Sequence, residues 1–155
     1  MGITYGTSTL FQATKGIVQD GLVLNLDAGV NKSYPRNGTT WYDLAGSNSG
    51  ALINSPTFDR DNGGSIVFDA TDEYVSLGSS IVPNGDFTLT FWININSVAN
   101  AGGSYARLFA STNDYMEISV NSGGGLRYYK RNSGSWQSVY ASLSTSSWSY
   151  IVYVR

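Results

Sequence analysis

The sequence predicts an all-β domain, a two-sheet antiparallel β-sandwich or barrel, and three observations carry that prediction. Apolar and polar residues alternate with a period of two in segment after segment. These segments are short and recur at intervals of about 8–12 residues, separated by Gly/Asn/Ser turns. No segment carries a convincing 3.6-residue period, so helices have no amphipathic stripe on which to pack.

The elements follow in order. Leu22, Leu24 and Leu26 alternate with Val23, Asn25 and Asp27, which predicts a half-buried strand opened by Gly21 and followed by Gly29. Turn formers from Asn31 to Thr40 lead to Trp41-Tyr42-Asp43-Leu44, and a Gly/Ser/Asn stretch leads on to Ala51-Leu52-Ile53. Ile66 and Phe68 alternate with Ser65, Val67 and Asp69. The Ala70-Thr71-Asp72 turn and the Val75/Leu77 alternation then predict a hairpin. From Phe87 to Asn96 the alternation is strongest. Phe87, Leu89, Phe91, Ile93 and Ile95 share one face, while Thr88, Thr90, Trp92, Asn94 and Asn96 share the other. Burying five such side chains, at about 1.5–3 kcal/mol each, predicts that this strand is the backbone of the core. Met116, Ile118 and Val120, then Leu126 to Lys130, Trp136 to Tyr140 and Trp148 to Val154 supply the remaining strands. The last of these is still strongly patterned where the sequence stops, so we expect a domain truncated at its C-terminal end.

Composition narrows the chemistry. The chain has 155 residues, enough for one domain with a proper core, and 41% of them are hydrophobic. Only 13% are charged, so Ser, Thr, Asn and Gly must make much of the surface. There is no Cys and no His, which excludes a thiol nucleophile, a Ser-His-Asp triad, disulfides and an ordinary zinc or iron site. A metal would have to be a hard cation held by oxygens, with calcium the candidate. The net charge of −2 argues against a nucleic-acid partner, which needs a basic patch. Residues 1–20 lack the charged n-region and the continuous apolar h-region of a signal peptide. No stretch approaches the ~20 apolar residues of a membrane-crossing helix, so no membrane partner is expected.

The run Gly21-Leu-Val-Leu-Asn-Leu-Asp27, Trp41-Tyr-Asp43, Ser65-Ile-Val-Phe-Asp69, Asp72-Glu-Tyr-Val-Ser-Leu77 and Phe87-Thr-Leu-Thr-Phe-Trp92 resembles the laminin-G-like, concanavalin-A-like jelly-roll superfamily. The likeness is close from about Gly21 to Asn96. It is looser over Arg107-Leu-Phe109, Gly125-Leu-Arg-Tyr-Tyr129 and Trp148-Ser-Tyr-Ile-Val152. It implies two stacked, curved antiparallel sheets over residues 21–155. It is specific for fold and weak for function, since the fold carries lectins, adhesion modules, hydrolases and structural domains. In the family, the segment beginning at Trp148 continues through a turn to a further strand, which supports the truncated reading.

Three kinds of site are compatible with this fold. Hydrolases of this fold resemble one another in a Glu-x-Asp-x-x-Glu strand motif, and retaining chemistry needs two carboxyls about 5–5.5 Å apart. Asp114 and Glu117 match its end, but Thr112 stands at the nucleophile position and alternation puts Asp114 and Glu117 on opposite faces. The expectation is that the protein is not an enzyme. Asp27, Asp43, Asp69, Asp72 and Glu73 lie at strand ends or turns, either as ordinary turn formers or converging on calcium, as in many laminin-G-like modules. Carbohydrate binding would use exposed aromatics flanked by polar groups. Trp92 leads because it lies on the Thr/Asn face; Trp41, Tyr42, Trp136 and Tyr129 follow, although some of these must fill the space between sheets.

Residues 1–20 are Gly/Thr-rich and have no partner in the jelly-roll pattern. They are expected to be an edge strand, or an arm joining own copies or other virion proteins by strand addition into a homo-oligomer. Charge-poor, Gly/Ser/Asn-rich jelly rolls of this style resemble the laminin-G-like modules of tailed-phage virions. The leading expectation is therefore a non-catalytic virion module of the tail-fibre, neck or capsid-decoration type, structural and adhesive to cell-surface glycans. The alternative is a lectin-like module that is secreted or sits on a bacterial cell surface.

Overall fold

The structure, a computed structural model, describes residues 17–78, 81–82, 85–96, 105–111, 116–121, 124–132 and 135–155, with the main chain alone along 130–140. Among the described residues eleven strands run in chain order: β1 (Thr40–Trp41), β2 (Gly50–Ile53), β3 (Thr57–Asp59), β4 (Ser65–Val67), β5 (Tyr74–Ser76), β6 (Thr88–Asn94), β7 (Ala106–Ser111), β8 (Met116–Val120), β9 (Gly125–Asn132), β10 (Ser135–Ser142) and β11 (Trp148–Val154). One 3-10 turn, Asp61–Gly63, is the helical element among the described residues. The strands pair antiparallel in the orders β1-β2-β5, β10-β9-β8-β7, β11-β6 and β3-β4. The all-β sandwich expected from the sequence is the fold observed.

The core gathers on β8. Met116, Ile118 and Val120 point to one face of that strand and all are fully buried. β8 lies between β7 and β9, so its ladder is satisfied on both edges. Tyr128 on β9 lies opposite Ile118 on the same face. Its ring stacks on Tyr153 of β11 at 4.1 Å between centroids, and Tyr153 also meets Phe87 at 5.6 Å. These ring contacts lay the β6/β11 pair over the four-stranded sheet. The β6 residues Leu89, Phe91 and Ile93 alternate inward as expected, but they are half-buried rather than fully buried. Of the five residues expected to form the backbone of the core, Ile95 just beyond β6 is buried, while the fully buried apolar side chains sit on β8. β6 has one described neighbour strand, whereas β8 is flanked on both sides.

Two local expectations also change. Residues 21–27 extend with alternating Leu burial but form no strand. Their main chain is bound by loops instead. Asn25 N–H donates to Asp43 Oδ1 and Asp27 N–H to Ser33 Oγ, while the Val23 carbonyl accepts from Asn48 Nδ2. Loop side chains, together with the Leu44 N–H that donates to the Asn25 carbonyl, have taken the place of a ladder partner. The hairpin expected around residues 65–77 is absent: β4 pairs with β3, and β5 pairs with β2. Between them Ala70 turns left-handed at φ 64°, and Asp69 Oδ1 accepts from Thr71 N–H, so the chain turns a corner between sheets. The arm assigned to residues 1–20 lies, as far as residue 16, outside the described residues; residues 17–20 are exposed.

Ile118→Ala should cost about 2–5 kcal/mol, because the cavity forms where neighbours on two strands cannot collapse into it. Trp92→Ala should cost about 1 kcal/mol or less. Urea denaturation of the two variants checks the ordering, and equal losses would place the core elsewhere.

Candidate functional site

β6 and β11 are built from the same alternation, and their register decides what it exposes. Trp148 lies opposite Asn94, Tyr150 opposite Trp92, Val152 opposite Thr90 and Val154 opposite Thr88. One face of the pair is therefore Leu89, Phe91, Ile93, Ile151 and Tyr153, turned inward. The other combines the Thr/Asn face of β6 with the large residues of β11. Trp92 is 65% exposed and Tyr150 51%, with Trp148, Val152 and Val154 also exposed. The Trp92 and Tyr150 rings meet at 5.0 Å between centroids with their planes 39° apart, forming a tilted two-ring platform. Threonine hydroxyls on β6 flank it. A large apolar surface rimmed by polar groups is an unusual thing to leave in water.

The other aromatic candidates are placed apart from this platform. Trp41 is half-buried on β1, and its indole N–H is buried, so it offers no hydrogen bond to a ligand. Tyr42 follows β1 with an exposed ring, and its main chain is held to Ser33 at both N–H and carbonyl. Tyr129 on β9 is half-buried with the Arg127 guanidinium 4.8 Å from its ring centroid. The side chain of Trp136 lies outside the described residues. Tyr150 and Trp148 escaped the sequence reading, although their alternation was visible. The missing signal was the pairing of β11 with β6.

The five acidic residues are dispersed. Among the described residues no group of three or more carboxylates is close enough to hold a metal ion. Asp43 accepts from the N–H groups of Asn25, Ala45 and Asn48 at 2.9, 2.9 and 3.1 Å. Burial alone would push its carboxyl up; those amides, with that of Gly46, outweigh it and hold the group below the usual carboxylate range. Asp27 Oδ1 accepts from Gly29 N–H, Asp69 Oδ1 from Thr71 N–H, and Glu73 Oε2 from Asp69 N–H. Asp72 is exposed, and its carbonyl accepts from Asn54 Nδ2. These are turn-forming roles, the first of the two alternatives that the sequence left open for them.

Glu117 is similarly engaged. It stands on the outer face of β8, opposite Ala110 of β7 and Tyr129 of β9. Arg107 Nε lies 2.8 Å from Oε2, and Arg127 Nη2 lies 3.0 Å from Oε1. The Arg127 guanidinium also lies over the Tyr105 ring at 3.9 Å. Burial raises the Glu117 carboxyl, but Arg107 and Arg127 together hold it below its usual value. A general acid needs the opposite shift. Asp114, its companion in the weighed motif, lies outside the described residues.

Over residues 69–155 the chain matches the family model of the laminin-G type described as the concanavalin A-like lectin/glucanases superfamily. That is more than half of the chain, and the protein belongs to this family. No curated protein and no solved structure gives a significant match.

Because its carboxyl is lowered in the folded state, Glu117 stabilises the fold above the ordinary value of 4.5, and the contribution fades as pH falls through the lowered value. Glu117→Gln should therefore cost about 1–3 kcal/mol near neutral pH by leaving Arg127 underpaired. Its urea midpoint should converge with that of the wild type in acid. A gap that stays constant with pH would show that the ion pair is not its source.

Proposed function

We propose that the protein is a non-catalytic carbohydrate-binding module that grips a neutral glycan on the open face of β6 and β11. The observation that carries the reading is the exposed Trp92–Tyr150 ring pair, set among threonine hydroxyls within a superfamily that includes lectins. Rings of this kind stack on the apolar face of a sugar, and neighbouring hydroxyls bind its polar edge. Two points support a role without turnover: Glu117 is doubly paired, and Thr112 occupies the nucleophile position of the glucanase motif. Calcium has no part in the proposal, because among the described residues no three carboxylates come together.

A two-ring platform is a small contact, and repetition would strengthen it. Display of several copies raises avidity without new contacts, which suits a virion appendage or a cell surface studded with the module. The virion setting rests on the style of the sequence alone.

The test is an array of neutral oligosaccharides with and without chelator. Wild-type protein should bind at least one of them. Trp92→Ala and Tyr150→Ala should each weaken that binding about tenfold or more, the equivalent of about 1.4 kcal/mol, and chelator should leave it unchanged. Absence of binding by the wild type, or full binding by both variants, contradicts the proposal.

A further inference from the structure

A second concave surface lies in the half of the chain before the family match. The β2–β3 connection and the loop after Tyr34 enclose an open cleft of about 460 Å³, lined by Tyr34, Arg36, Thr39, Ser55, Phe58 and Arg60 among others. Its floor is well packed. Tyr34 is buried, its hydroxyl donates to the Gly38 carbonyl at 3.2 Å, and its ring meets Phe58 at 5.6 Å.

The charge of this cleft runs against that of the molecule. The chain carries −2 overall, yet the lining contains two arginines and no carboxylate. Among the described residues the ion pairs both converge on Glu117, and neither Arg36 nor Arg60 takes part in one. In a chain with 9 basic and 11 acidic residues, two guanidiniums in one concavity without an ion pair give that cleft a local positive field. The main chain is also set against its preferences here. Arg36 and Ser55 adopt left-handed conformations at φ 69° and 71°, as does neighbouring Asn54 at 63°. Such geometry is uncommon for residues other than glycine and gathers at ligand clamps. Asn54 is fixed by its amide, which donates to the Asp72 carbonyl at 3.0 Å, and the Arg36 guanidinium lies 5.9 Å from the Phe58 ring centroid. The cleft is therefore preformed, with one of its cations already seated against an aromatic ring.

We propose that this cleft is a second binding site, separate from the Trp92 platform, and that it takes a carboxylate-bearing saccharide such as a uronic-acid oligomer. A guanidinium fork matches a planar carboxylate through two parallel N–H···O bonds, which a neutral hydroxyl cannot replace. Phe58 holds the Arg36 guanidinium at the cleft, and the Thr39 and Ser55 hydroxyls supply partners for the polar edge of the sugar. The site shares no residue with the β6/β11 face, so either can fail without the other.

Tetragalacturonate and its fully methyl-esterified form make the test, since esterification keeps the sugar backbone and replaces each carboxylate by a neutral methyl ester. In calorimetric titration the acid form should bind the full chain, and the ester about tenfold or more weaker. Arg36→Gln and Arg60→Gln, both at exposed positions, should melt like the wild type and each lose about tenfold in affinity for the acid form. Trp92→Ala should bind tetragalacturonate as the wild type does. Added salt should weaken this binding and leave neutral-glycan binding unmoved. The proposal is overturned if tetragalacturonate does not bind or if the ester binds as well. Unchanged affinity in both arginine variants, or loss of binding in Trp92→Ala, overturns it too.

Discussion

The register between β6 and β11 is the constraint on which the arrangement depends. In an antiparallel pair the side chains opposite one another share a face, and a slip by one residue sends every side chain to the wrong side. With Tyr150 opposite Trp92, Leu89, Phe91, Ile93, Ile151 and Tyr153 all turn inward together. The same register gathers Trp92, Trp148, Tyr150, Val152 and Val154 outside. An alternating strand normally spends its large residues on the core and its polar ones on water. β11 carries large residues on both faces, and only one face can be buried. The exposed aromatic surface is a consequence of that composition.

The inner face can hold this register because the sheet beneath it is anchored. β8 is flanked on both edges and buries Met116, Ile118 and Val120, while Tyr128 carries the contact up to Tyr153. Burial pushes the Tyr128 phenol above its ordinary value, with the neighbouring Tyr153 hydroxyl adding to the effect, so it remains neutral throughout the physiological range. On the opposite side of β8, Glu117 and its two arginines close the sheet with charge rather than apolar packing. The two faces of one strand thus serve different ends: one locks the sandwich, and the other is polar and occupied.

What could be read from the sequence was local. Alternation along residues 87–96 located β6 and put Trp92 on the outward face before any pairing was known. Pairing itself is non-local, and there the reading ran short. Nothing near Trp92 in sequence announces Tyr150, which arrives more than fifty residues later. The Leu22/Leu24/Leu26 alternation looked like a strand because burial alternates there. Its hydrogen bonds go to Ser33, Asp43, Leu44 and Asn48, and no periodicity reports such partners. Aspartates at turns were legible as turn formers or as ligands, and the amides around Asp43 show the first role at that position. The cleft between Arg36 and Arg60 was invisible, since left-handed arginine and serine have no sequence signature and the two loops meet only in the fold.

The central claim is that the outer β6/β11 face is open to water in the free protein and closed by sugar. Acrylamide quenching of tryptophan fluorescence, compared between the wild type and Trp92→Phe, tests it directly. The difference between them isolates Trp92. Our account predicts a strongly quenchable component in the free protein, lost in Trp92→Phe and shielded when a neutral oligosaccharide saturates the wild type. A Trp92 component already protected without sugar would mean that something else covers this face, and would contradict the account.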